Sequence, residues 1–90
     1  MSRLGSLTQK VSEGLIEIRH ALDANDERKL ADSARALTSC SGQLGAMGVM
    51  RVAIGMQMLA RSHQVERAKT LWPELEQEFQ KLSEELAESA

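Results

Sequence analysis

Residues 33–46 read SARALTSCSGQLGA. Leu37 and Leu44 stand two helical turns apart on one face, but everything between them at 38–42 is small or polar: Thr38, Ser39, Cys40, Ser41 and Gly42. A helix whose only task is to pack would carry Leu, Ala or Glu there. Extended backwards, the same stripe takes in Leu30, Ala34, Leu37, Ser41 and Leu44. Asn25 or Asp26 in the DAND turn can cap its start, and Gly45 is placed to stop it. The reading predicts a helix over 26–44 with a stripped outer surface.

The flanking segments have the same period. Leu4, Leu7, Val11, Leu15, Ile18 and Leu22 form one apolar stripe, which predicts a helix over 4–23, with Ser6 and Gln9 as a capping box. Val49, Met50, Val52, Ala53, Ile54, Met56, Met58 and Leu59 surround most of a helix over 48–61, which is therefore expected to be the most buried. Val65, Ala68, Trp72, Leu75, Phe79, Leu82 and Leu86 form a seam along a last helix over 64–87. Pro73 lies inside that helix, where its ring would meet the carbonyl of Lys69, so a kink is expected there. Nothing alternates with period two. The expected fold is all-α, a single antiparallel up-down-up-down four-helix bundle over 1–90, with Leu37, Ile54, Leu75 and Phe79 buried together.

Composition narrows the partners. The net charge of −2 lacks the basic face that nucleic acid requires, and one Trp, one Phe and no Tyr leave no platform for stacked bases. The lone Cys40 cannot form an internal disulfide, which fits a reducing, cytoplasmic setting, and its expected role is that of a small packed residue. The opening MSRLGSLTQK has no apolar run and does not read as a signal peptide. Met47 to Ala60, the most apolar stretch, is too short to span a bilayer, so no membrane partner is expected.

Motifs for catalysis are scarce. The six glycines are scattered singly, with no phosphate-cradling loop. Glu17 and His20 have the Glu-x-x-His spacing of di-metal bundles, but such sites need the motif on two helices. Both residues point away from the apolar stripe, so neither a metal nor any other cofactor is expected. Met47, Met50, Met56 and Met58 cluster around the third helix and read as core filling rather than as an adaptable binding surface.

The stretch ARALTSCSGQLGA, 34–46, resembles the signature segment of histidine phosphotransfer (HPt) domains of bacterial two-component phosphorelays. Family members read Ala-His-x-Leu-Lys-Gly, then several small residues, then Leu-Gly-Ala. Ala34, Leu37, Leu44, Gly45 and Ala46 match, and Cys40, Ser41 and Gly42 match in character. The likeness extends to LIEIRHALDANDERKLADSARAL before the signature and MQMLARSHQVERAKTLWPELEQEFQKL after it. It implies a four-helix bundle and docking to a response-regulator receiver domain or a histidine kinase. The departure is central: the family's phosphoaccepting His falls on Arg35, its Lys on Thr38 and its Gly on Ser39.

With Ala34, Leu37 and Ser41 inward, Arg35 faces out beside Asp32, Thr38, Ser39 and Gly42, a surface that another protein can approach closely. Phosphotransfer needs a neutral imidazole nitrogen, whereas a guanidinium stays protonated and has no free lone pair. The chain is therefore expected to bind without catalysis, Arg35 meeting an acidic phosphorylation pocket with forked hydrogen bonds. Two alternatives stand beside this: an adaptor or oligomerisation bundle outside any phosphorelay, and phosphotransfer through a relocated histidine, His20 or His63.

Overall fold

The computed structural model describes residues 3 to 89, and side chains from 5 to 88. Among the described residues all regular structure is helical, with α1 Arg3–Asp23, α2 Glu27–Leu44, α3 Met47–Arg61, a short α4 Val65–Lys69, and α5 Trp72–Ser89. The molecule measures 40 × 21 × 18 Å. α2 packs along both α1 and α3; α3 also meets α4 and α5, while α1 touches α4.

Each junction has a local cause. Asp26 caps α2, its carboxylate accepting from the Lys29 N–H at 3.0 Å, and Asn25 takes the left-handed conformation (φ 53°) that closes the turn. α2 ends at Gly45 with φ 82°, which only glycine adopts without strain. The Gly45 N–H bonds the Gly42 carbonyl at 3.2 Å and the Ala46 N–H bonds the Ser41 carbonyl at 2.8 Å, a Schellman stop that turns the chain directly into α3. Ser6 lies within α1 rather than at its start, so it is not a cap.

The last segment differs from the single kinked helix expected over 64–87. The chain breaks at Thr70 and Leu71, and Pro73 sits in the first turn of a new helix. The reason is that Pro73 has no N–H to give back to Lys69. The end of α4 tightens instead: the Leu71 N–H bonds Ala68 O at 3.0 Å and the Thr70 hydroxyl bonds Arg67 O at 2.6 Å.

The core joins Val11, Leu15, Ile18 and Leu22 of α1 to Leu30, Ala34 and Leu37 of α2, the inner face of α3, Ala68, Leu75 and Leu82. Leu7 is half-buried, and the side chain of Leu4 lies outside those described. Leu37 and Leu75 are buried as expected, and Phe79 packs half-buried against the core. Ile54 is not buried: it is 39% exposed. α3 buries only Val49, Val52, Ala53, Met56 and Ala60, so it is one-sided, because just one flank of it faces α2, α4 and α5. Of the four methionines around α3, Met56 fills the core and Met50 is half-buried, whereas Met47 and Met58 are exposed.

Candidate functional site

α2 presents two opposite faces. Leu30, Ala34, Leu37 and Ser41 point inward, which leaves Asp32, Arg35, Ser39 and Gly42, spaced three or four apart, on the exposed side. Arg35 stands at the middle of α2, and among the described residues its guanidinium makes no ion pair or hydrogen bond. A free cation on a shelf of short side chains can be reached by an incoming carboxylate or phosphoryl group without first breaking an internal pair.

Two of the five expected site residues behave differently from a bare shelf. Thr38 is half-buried and donates its hydroxyl to the Ala34 carbonyl at 2.8 Å, so that donor is spent on its own helix. Gly42 is exposed, but a Cβ there would lie 3.3 Å from Met50 Sδ. The absence of a side chain at 42 thus seats Met50 of α3 against α2. Sequence reasoning did not find Met50, because a helix that is apolar most of the way round gives no sign of which methionine lies under which neighbour. Cys40 is half-buried and packs on the core, and Ser41 is fully buried with no partner for its hydroxyl among the described residues.

Neither histidine joins this face. His63 stands in the turn after α3 with φ 60°, and its Nδ1 lies 3.0 Å from Glu27 Oε1 in the first turn of α2. Glu27 is eight residues before Arg35, about 12 Å along the helix, beyond hydrogen-bond reach. His20 is exposed on α1 and lines a groove between α1 and α5 in which no residue of α2 takes part. Glu17, its partner in the Glu-x-x-His spacing, instead pairs with Lys29 of α2 at 3.5 Å. Among the described residues no group of three or more His, Cys, Asp or Glu side chains is placed to hold a metal ion. Among the described residues no helix is long and apolar enough to cross a membrane.

No protein-family model matches the chain, and neither a curated protein nor a solved structure matches it.

Proposed function

We propose that this chain is a degenerate histidine-phosphotransfer-like module that docks a receiver domain or a histidine kinase through the outer face of α2 and takes no phosphoryl group. In this reading α4 and α5 together form the fourth member of an antiparallel up-down-up-down bundle. The two- and three-residue links after α2 and α1 favour that arrangement, since so short a turn leaves the next helix running back along the last.

The observation that carries the proposal is the unpaired, exposed Arg35 at the centre of α2, flanked by Asp32, Ser39 and Gly42. A receiver's phosphorylation pocket is acidic, and a guanidinium entering it gains forked, charge-assisted hydrogen bonds. The same group cannot attack an aspartyl phosphate, so the complex forms and the reaction stops there. Such a domain would occupy a receiver in competition with an active transfer partner, or hold receiver and kinase in one assembly. Cytoplasmic location follows from these partners.

The Met50 contact at Gly42 favours a second reading, in which the small residues of α2 serve helix packing and the bundle acts as an adaptor through another face. Relocated phosphotransfer has less to stand on, because neither histidine lies on the outer face of α2: His63 stands in the turn after α3, where Glu27 meets its Nδ1, and His20 lines the groove between α1 and α5. The test is titration against a panel of receiver and kinase domains, with and without a phosphoryl mimic on the receiver. Binding to a receiver or kinase that is lost with Arg35→Glu supports docking through α2; binding to none of them supports the adaptor reading.

A further inference from the structure

α5 is the least firmly held of the long helices. Among its described side chains only Leu75 and Leu82 are buried, while Trp72, Phe79 and Leu86 stay half-buried against the core. It packs along α3, but toward α1 it leaves an open groove of about 570 Å³ whose apolar lining is Leu15, Ile16, Trp72 and Phe79. Arg51 of α3 meets Glu74 at 3.6 Å with both side chains exposed, and an ion pair of that kind adds little to the hold.

The sequence of α5 does little to hold it helical by itself. Its last turn has no basic residue, and Glu84, Glu85 and Glu88 crowd the end where the free carbonyls are already negative. An isolated helix of 18 residues with that charge pattern is marginal in water. The rest of the molecule is joined without it. α2 packs along both α1 and α3, and α4 meets α3 and α1 with Ala68 fully buried. Between the anchored α4 and α5 stand Thr70 and Leu71, outside both helices, and Pro73 withholds one backbone hydrogen bond from the first turn beyond them.

We infer that α5 is a hinged strap, which leaves the body formed by α1 to α4 as one unit about Thr70 and Leu71 while that body stays folded. The opening gives up the burial of Leu75 and Leu82 but keeps the seams that α2 makes with α1 and α3, so it lies below global unfolding in free energy. Off the body α5 loses its helix, and its leucines reach water together with the apolar surface they cover. The outer face of α2 takes no part in this motion, so the inference stands apart from the docking proposed for Arg35.

The test is native-state hydrogen exchange of the full chain, read amide by amide by NMR, for wild type and Leu37→Ala. Leu37 lies on the seam between α1 and α2, its Cδ1 3.2 Å from where a β-carbon on Gly14 would stand, so truncating it weakens the body and leaves α5's own contacts in place. In wild type the amides of residues 76–84 should exchange together, about tenfold or more faster than those at the centre of α2. Leu37→Ala should speed exchange in α1 and α2 by about thirtyfold or more and leave α5 within about twofold of wild type. If circular dichroism shows that Leu37→Ala does not fold, Leu37→Val replaces it, with a rise of about fourfold or more in α1 and α2 alone. Amides of α5 as slow as those of α2, or accelerated alongside them by the variant, overturn the inference. So does exchange that is fast only near Ser89 and slows to the rate of α2 by residue 76, which is fraying of a helix end.

Discussion

The carboxyl group of Glu78, on α5, lies directly over Gly48 in the first turn of α3, in the space a β-carbon would occupy. Ala46, at the N-cap of α3, offers no side chain to the free N–H groups of that turn, so a carboxylate from another helix is the negative group nearest the positive end of α3. Glu78 is 16% exposed and is steadied by Lys81 at 3.2 Å. Gly48→Ala should therefore be close to neutral, the flexible end of Glu78 giving way at a cost of about 0.5–1 kcal/mol that cancels alanine's better helix propensity. In a Glu78→Ala background the same change should become stabilising by about 0.5–1 kcal/mol. Urea unfolding of the four proteins in this cycle measures the coupling. Independent, additive effects would show that the two residues do not meet.

Ser41 faces the core with its Oγ buried and unpartnered. A hydroxyl stripped of water without a hydrogen bond costs about 1–3 kcal/mol, and serine is also a poorer helix former than alanine. Ser41→Ala is expected to raise stability by about 1 kcal/mol, seen as a higher melting temperature with unchanged helix content. A loss of stability would mean that the hydroxyl has a partner.

The burial of α3 is tested by a pair of truncations. Leu37→Ala removes a side chain that is 1% exposed and should cost about 2–5 kcal/mol. Ile54→Ala removes one from the exposed side of α3 and should cost less than about 1 kcal/mol. Equal losses in chemical denaturation would place Ile54 back in the core.

The contrast between Leu37 and Ile54 also marks how far the sequence can be read. Leu37 is legible because the stripe 30, 34, 37, 41 on α2 has a polar reverse side, so only one face can go inward. On α3 both faces are apolar, and the choice between Met56 and Ile54 is made by neighbours distant in sequence. The turns at Asn25 and Gly45 are local chemistry and were readable as such. Pro73 marked the right place in the last segment, but whether the helix bends or breaks depends on Thr70 and Leu71 closing the end of α4. At the site, the outward position of Arg35 follows from Ala34 and Leu37 pointing in. The seating of Met50 against Gly42 and the turning of Thr38 back to Ala34 depend on contacts that periodicity does not encode.

The chemistry assigned to Arg35 predicts a gain of function. Wild type should take no label from a radiolabelled phospho-receiver, whereas Arg35→His should acquire an acid-labile, base-stable label, because a neutral imidazole then stands on the same exposed shelf. Label on the wild-type chain would contradict the proposal and point to His20 or His63. Absence of label on Arg35→His, with a receiver that binds wild type, would mean that α2 does not face the receiver's phosphorylation pocket.

The most direct measurement is isothermal titration of wild type, Arg35→Glu, Ser39→Trp and Glu88→Gln with a receiver or kinase domain that binds. Ser39 is the better place for a bulky group than Gly42, since Met50 lies against Gly42 and would be displaced with it. Docking through the outer face of α2 predicts that Arg35→Glu weakens binding by about 2–4 kcal/mol, that Ser39→Trp also weakens it by obstructing the approach, and that Glu88→Gln leaves it unchanged, with thermal melts alike for all four proteins. Wild-type affinity for both Arg35→Glu and Ser39→Trp would contradict it, and would move the interface to another face of the molecule.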